Sequence, residues 1–145
     1  MKFFNGKSIG PINKRFIYNS DDEAIAIKIK TLNEDEHYVY LNGGFYFMPY
    51  NNRECNEVEI KVLATYESNE DEVDKQIAIV ESRFGKGKCL LSGVHFEINA
   101  TSLDYKNNQN IRLNVFDKLM SGSDSKNAHS NHALIKYLFG VVFNI

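Results

Sequence analysis

The chain has 145 residues, a length typical of one domain with room for a substantial hydrophobic core. Hydrophobic residues make up 43% of it and aromatic residues 12%, which is too apolar for a disordered chain. The formal net charge is −2, so no broad basic field is present to attract nucleic acid or an anionic membrane. We therefore expect one domain over residues 1–145 that binds neither of these partners.

Targeting signals and disulfides are also not indicated. No apolar run approaches the ~20 residues that a membrane-spanning helix requires, and polar residues interrupt the start of the chain too early for a signal-peptide core. The two cysteines, Cys55 and Cys89, form neither a disulfide framework nor a metal-ligand spacing. These features predict a cytoplasmic protein with reduced thiols.

The first third of the chain predicts strands. Residues 1–19 mix glycine, proline and apolar side chains, which is typical of an irregular loop. Isoleucines alternate with lysines in residues 24–32, which indicates a half-buried strand. Two apolar runs, residues 38–41 and 45–47, flank Asn42-Gly43-Gly44. Because Asn and Gly tolerate a positive φ, this segment predicts a tight hairpin turn.

The middle of the chain continues this pattern. Apolar residues alternate with charged ones from residue 57 to 64, which predicts another one-sided strand, and the acidic residues 67–74 predict a solvated loop. Residues 77–80 and 89–91 are nearly continuous apolar runs, as expected for strands covered on both faces. The turn between them is predicted at Gly85-Lys86-Gly87-Lys88.

Helical spacing appears only near the end, at residues 111–120 and 132–142, with a polar linker between them. A self-contained α/β domain usually alternates strands and helices from the start. Here the strands must cover their apolar face in another way. We therefore expect an incomplete core, as in one half of a larger domain.

Two glycine–lysine segments are candidates for phosphate binding. Gly6-Lys7-Ser8 resembles the end of a Walker A motif, but the first glycine of that motif would fall on Met1. Residues 85–88 lie between two predicted strands, with no helix whose N-terminus could hold a phosphate. We interpret both segments as turns.

Neither the cysteines nor three of the four histidines indicate a reactive or metal-binding site. An activated thiolate needs positive surroundings, whereas Cys55 has acidic neighbours and Cys89 lies in an apolar strand. His129 and His132 can share a helix face, but no third ligand has a matching spacing. His37 lies at a strand edge and indicates nothing specific. We expect no metal and no cofactor.

The most informative segment is Ser92-Gly93-Val94-His95-Phe96-Glu97. His95 and Glu97 are two residues apart, so on an extended backbone they project to the same side. A carboxylate in this position can orient an imidazole that acts as a base toward a nucleophile. By spacing alone, a surface pair is the commoner interpretation.

Several segments together resemble the amino-terminal domain of eukaryotic biotin–protein ligases, a region similar to class I glutamine amidotransferases. The matching segments keep the order found in that family and extend through about Glu97, and residues 133–143 are similar to the closing helix of the family. The matching segments are Phe4-Asn5-Gly6-Lys7-Ser8-Ile9-Gly10-Pro11, Tyr40-Leu41-Asn42-Gly43-Gly44, Val62-Leu63-Ala64-Thr65-Tyr66, Ala78-Ile79-Val80, and Gly85-Lys86-Gly87-Lys88-Cys89-Leu90-Leu91-Ser92-Gly93-Val94-His95-Phe96-Glu97.

This resemblance implies a fold and a role for the site. It implies the C-terminal part of an amidotransferase-like, flavodoxin-like α/β domain, made mostly of antiparallel hairpins followed by two helices. It also implies that His95 corresponds to the base of a catalytic triad and Glu97 to its orienting carboxylate. Phe96 stands where the related proteins usually have proline, which loosens the backbone constraint on the loop.

The resemblance also implies that the nucleophile lies in an upstream half that this chain lacks, and that biotin transfer lies in a separate downstream domain. We expect a non-catalytic accessory or regulatory part of a biotin–protein ligase, with the rest of the ligase or its carrier-protein substrates as partners. One alternative is an amidotransferase-like or amidase-like enzyme in which another chain supplies the nucleophile to His95 and Glu97. The other is a free-standing protein-binding module with an exposed apolar face.

Overall fold

The computed structural model describes residues 4–50, 58–98, 100, 115–121 and 130–143. Within these ranges the strands are β1 (Gly6–Ile9), β2 (Ile25–Thr31), β3 (Glu36–Leu41), β4 (Tyr46–Pro49), β5 (Val58–Glu67), β6 (Ile77–Phe84) and β7 (Gly87–Ser92), and the helices are α1 (Asp117–Ser121) and α2 (Ser130–Phe143). Neither described helix has the length and apolarity needed to cross a bilayer.

All seven described strands belong to one antiparallel sheet. The order along it is β1-β4-β6-β5-β2-β3, and β7 also pairs with β6. β4 pairs with β6 only through Phe47 and Ile77, whereas β7 pairs with residues 79–84 of β6. The predicted combination of antiparallel strands followed by helices is therefore confirmed.

Hairpins join three pairs of neighbouring strands: β2 with β3, β5 with β6, and β6 with β7. The last of these contains the turn predicted from the glycine–lysine segment. Phe84 pairs with Gly87 there, and Gly85 has a φ of 57°. The acidic loop predicted at residues 67–74 lies at the β5–β6 connection, where Val73 is buried against the core.

The prediction of a hairpin around Asn42-Gly43-Gly44 is wrong. Gly43 and Gly44 do adopt positive φ values of 79° and 64°. The strands on either side do not pair with each other, however, because β3 pairs with β2 and β4 pairs with β1 and β6. The irregular loop predicted for residues 1–19 is correspondingly interrupted by β1, which pairs with β4.

The sheet is covered on both faces around β2 and β3. Successive residues of a strand point to opposite faces. Accordingly, Val39 and Leu41 belong to the larger core with α2, while Tyr40 belongs to a second core with α1. Leu134, Leu138 and Val142 of α2 are fully buried in the larger core. Each such side chain contributes about 1.5–3 kcal/mol through burial.

Two further predictions were only partly right. Residues 78–80 are buried and Ile77 is half-buried, as expected for a strand covered on both faces, but residues 89–91 of β7 are only half-buried, so that expectation was wrong for them. Among the described strands β7 pairs only with β6, which leaves its other edge without a strand.

The helix predicted at residues 132–142 is confirmed by α2. The helix predicted at residues 111–120 is described only in part. Positions 111–114 lie outside the described residues, and α1 forms the end of the predicted helix.

Candidate functional site

The segment that follows β7 is held close to the sheet. The backbone N–H of Gly93 donates to the Ala78 carbonyl at 2.9 Å, and the N–H of Phe45 donates to the Gly93 carbonyl at 3.4 Å. A side chain at Gly93 would overlap the Phe45 carbonyl oxygen. Glycine is therefore required here by close backbone approach, and this approach directs the following residues toward β3.

His95 lies against Tyr40 of β3. Its backbone N–H donates to the Tyr40 carbonyl at 3.0 Å, in an isolated antiparallel bridge. The two rings meet edge to face, with centroids 5.9 Å apart. Tyr40 is only 3% exposed, so the base of the His95 side chain rests on a buried residue.

Tyr40 is itself fixed by a small polar network. Its hydroxyl donates to the Asp21 carboxylate at 2.7 Å, and the Asn42 side-chain amide donates to the same oxygen at 2.8 Å. The Asn42 amide also donates to the Ser20 carbonyl at 3.1 Å. Burial, followed by the hydrogen bond to Asp21, raises the pKa of Tyr40 far above its ordinary value.

The structure brings the two predicted site residues together. His95 Nδ1 lies 2.8 Å from Glu97 Oε1, and the side chains are 51% and 59% exposed. When the imidazole is neutral, Nδ1–H donates to the carboxylate and Nε2 carries the lone pair. This arrangement can orient a base whose reactive nitrogen points away from its carboxylate.

Phe96 has a packing role in this loop. It is half-buried and contacts the larger core, so it anchors the segment between His95 and Glu97 by burial. Proline, which the resemblance to amidotransferases led us to expect here, would restrict the backbone directly. The side-chain pair forms here without that restriction.

Among the described residues, no thiol or hydroxyl is hydrogen-bonded to the His95 ring. Cys89 lies near the far end of β7, where its thiol contacts the Ser82 carbonyl at 3.6 Å. The Ser92 hydroxyl donates to the Val94 carbonyl at 2.7 Å and accepts from the Val94 N–H at 3.2 Å. Cys55 lies outside the described residues.

Within the described ranges, no group of three or more His, Cys, Asp or Glu side chains could hold a metal ion. His132 is exposed on α2, and His129 lies outside these ranges. His37 is half-buried on β3, and burial lowers its pKa. Neither His37 nor His132 adds a ligand to the His95 site.

The two glycine–lysine segments are parts of the sheet and its turns. Gly6-Lys7-Ser8 forms most of β1, and Gly85-Lys86 is the turn between β6 and β7. Lys88 donates from Nζ to the Val142 carbonyl at 2.9 Å, near the end of α2. A cation in this position stabilises the carbonyl end of a helix. Neither segment leads into a described helix, which agrees with their interpretation as structural.

Comparison with known proteins identifies the class to which this chain belongs. The family model described as "Biotin-protein ligase, N terminal" matches residues 1–142. The chain is a member of this family, as the resemblance in its sequence predicted.

A particular relative extends this result. The chain is 32% identical over 104 residues to the biotin–protein ligase of Schizosaccharomyces pombe (strain 972 / ATCC 24843). The match covers 69% of this chain but 16% of that protein. No solved structure matches the chain significantly.

Proposed function

We propose that this chain is a non-catalytic accessory or regulatory part of a biotin–protein ligase. The observation that carries the proposal is an oriented imidazole that no thiol or hydroxyl of the described residues contacts. His95 and Glu97 are hydrogen-bonded and exposed, yet no described thiol or hydroxyl contacts the ring. A base of this kind accelerates acyl chemistry only when a nucleophile lies within hydrogen-bond distance.

The same proposal assigns the chain to the class I glutamine amidotransferase-like architecture, with His95 in the position of the triad base and Glu97 as its orienting group. The support is the pairing of these side chains on the loop directly after β7, together with family membership. The proposed partners are the rest of the ligase or its carrier-protein substrates, in the cytoplasm.

The experiment is an assay of the purified chain for two activities, hydrolysis of glutamine and transfer of biotin to an acceptor protein. We expect neither activity above the level of the His95→Ala variant. Biotin transfer by this chain alone, or glutamine hydrolysis that the His95→Ala substitution removes, would contradict the accessory role.

A second candidate is an amidase or amidotransferase whose nucleophile comes from another chain. It is favoured by the exposure of His95, which leaves the ring accessible to a second protein. In this case, glutamine hydrolysis would require both polypeptides and would be lost with His95→Ala. Hydrolysis by the mixture that persists in the variant would exclude this candidate.

A third candidate is a protein-binding module. Phe139 and Phe143 lie one turn apart on α2, are 40% and 48% exposed, and contact each other. Exposed apolar surface of this kind is typical of interaction sites. The module hypothesis predicts self-association or binding of a hydrophobic dye by the purified chain. A monomer that binds no dye would count against it.

A further inference from the structure

The backbone bond and the ring contact that join His95 to β3 are both made to Tyr40. The His95 N–H donates to the Tyr40 carbonyl at 3.0 Å in an isolated bridge, and the two rings lie with their centroids 5.9 Å apart. An isolated bridge lacks the neighbouring pairs that hold a residue within a ladder. The placement of the imidazole against the sheet therefore depends on how firmly Tyr40 is held.

Asp21 joins the polar groups around Tyr40. One oxygen of its carboxylate accepts from the Tyr40 hydroxyl at 2.7 Å and from the Asn42 side-chain amide at 2.8 Å. Tyr40 lies near the end of β3 and Asn42 directly follows the strand. Hydrogen bonds to an ionised acceptor are stronger than those between neutral groups. A single carboxylate oxygen therefore fixes two side chains at the end of β3 that His95 contacts.

The backbone on both sides of the Asp21 carboxylate is itself held in place. The Asp21 carbonyl accepts from the N–H of Ala24, a buried residue, at 2.9 Å. The Ser20 carbonyl accepts from the same Asn42 amide at 3.1 Å. The carboxylate is thus directed at β3 before Tyr40 is bound, and a group fixed in this way holds its partner with little reorganisation.

The hydroxyl of Tyr40 requires an acceptor of this kind. Tyr40 is only 3% exposed and packs in the second core. Because burial, followed by the hydrogen bond to Asp21, raises the pKa of Tyr40, the hydroxyl keeps its proton and acts as the donor. A buried donor that loses its acceptor is costly. Without Asp21, the Tyr40 side chain therefore gains by moving its hydroxyl toward water, and this movement displaces the ring on which His95 rests.

We propose that Asp21 is a positioning residue for His95. It holds Tyr40 and Asn42, and so fixes the end of β3 against which the imidazole lies. Glu97 determines which ring nitrogen carries the proton, whereas Asp21, acting through Tyr40, determines where the ring lies. The inference deepens the proposed function, because it concerns the same base, and it rests on that proposal only for the chemical role of His95.

The test is an NMR comparison of the native chain with its Asp21→Ala variant, both with ¹³C-labelled histidine and tyrosine, at constant pH. In the native chain we expect cross-peaks between the ring protons of His95 and Tyr40, and a ring-current shift of the His95 protons. Asp21→Ala should lose these cross-peaks and most of the ring-current shift. Tyr40→Phe keeps the buried ring and removes only the hydroxyl, so it should move the His95 signals in the same direction even if Asp21→Ala does not fold.

A double variant shows whether Asp21 acts through the Tyr40 hydroxyl. If it does, Asp21→Ala combined with Tyr40→Phe changes the His95 ring signals by less than the sum of the two single changes, because both remove the same hydrogen bond. Two controls separate positioning from a general loss of stability. Asp71→Ala removes an exposed carboxylate from the loop after β5, and Val142→Ala removes buried methyl groups from α2. Neither control should change the His95 ring signals.

Three results would overturn the inference: unchanged His95 signals in Asp21→Ala, additive changes in the double variant, or an equal change in Val142→Ala. These signals do not depend on catalysis. A failure of this inference is therefore distinct from a failure of the proposed function, which glutamine hydrolysis or biotin transfer by the chain would reveal.

Discussion

The imidazole of His95 has a hydrogen-bond partner on one side and an aromatic ring on another. The Glu97 carboxylate is hydrogen-bonded to Nδ1 of the ring, and the Tyr40 ring contacts the imidazole edge to face. We predict that neutral His95 is held as the Nδ1–H tautomer, because only this form donates to Glu97. Long-range ¹H–¹⁵N NMR spectra should show this tautomer for the native chain.

The substitution Glu97→Ala removes the acceptor and should return His95 to a mixture of tautomers, because neither ring nitrogen is then preferred by a carboxylate. Glu70→Ala is a suitable control, since it removes an exposed carboxylate from a different loop. An unchanged tautomer population in Glu97→Ala would show that the hydrogen bond does not orient the ring.

His37 makes stability depend on pH. Burial lowers its pKa in the folded chain below the ordinary value of 6.5, so the folded state favours the neutral ring. The neutral His37 ring therefore contributes to the free energy of unfolding above pH 6.5. This contribution is lost as the pH falls through the lowered pKa, because the unfolded chain takes up the proton first.

We predict that the free energy of unfolding falls between pH 7.5 and pH 5.5, and that His37→Gln reduces this fall. Denaturant unfolding at the two pH values measures the difference for each protein. The exposed His132 provides the control substitution, His132→Gln, which should retain the native dependence. The same fall in the His37→Gln variant would contradict this account.

The two-residue spacing predicted that His95 and Glu97 lie close together, and they do, although Phe96 and Glu97 form a turn and not the extended backbone on which that prediction relied. The supporting network was not predictable in this way. Asp21 reaches Tyr40 across 19 positions of sequence, and His95 reaches Tyr40 only through the pairing of distant segments. Contacts of this kind depend on the topology of the sheet, which a single sequence pattern does not specify.

At the scale of elements, α2 has a buried side and an exposed side. Leu138 is fully buried, whereas its neighbour Phe139 is 40% exposed. We predict that Leu138→Ala lowers the free energy of unfolding by about 2–5 kcal/mol, through lost burial and a cavity. Phe139→Ala should change it by no more than about 1 kcal/mol.

Denaturant unfolding of both variants measures this contrast. Both substitutions place alanine in the same helix, so differences in helix propensity have little influence on the comparison. Equal losses of stability would mean that α2 does not pack on the sheet through the Leu138 side.

The approach of Gly93 to the sheet gives a second prediction at this scale. Gly93→Ala places a methyl group against the Phe45 carbonyl, and we expect this crowding to cost about 1–3 kcal/mol. The same change at Gly87, where a side chain would make only an ordinary contact with the Phe84 carbonyl, should alter stability within about 0.5 kcal/mol.

The two glycine variants are compared by thermal or denaturant unfolding and by the NMR signals of His95. Because Gly93 leads into the site, its substitution should also shift the His95 ring signals, whereas Gly87→Ala should not. A Gly93→Ala chain of native stability would contradict the close approach of these backbones.

Elements were easier to predict than their connections. Alternation of isoleucine and lysine predicted β2, and helical spacing predicted α2. The glycines at positions 43 and 44 were correctly expected to have positive φ, but that conformation does not specify which strands pair on either side. The pairing partner of β4 came instead from the N-terminal residues, since β1 pairs with β4.

At the scale of the whole molecule, the chain matches only a small part of a longer relative. The match to the yeast biotin–protein ligase covers 16% of that protein. In the function proposed above, His95 and Glu97 would supply an oriented base, and the nucleophile would come from elsewhere in a ligase. Family membership and the geometry of the pair are consistent with such a division.

We predict that His95 activates neither Cys55 nor Cys89. Mass spectrometry after treatment with an electrophilic analogue of glutamine measures this most directly. Cys55 and Cys89 should be modified slowly, and at the same rates in the native chain and in the His95→Ala variant, because an unactivated thiol does not respond to the base. Rapid modification of either cysteine that the His95→Ala substitution abolishes would contradict the claim.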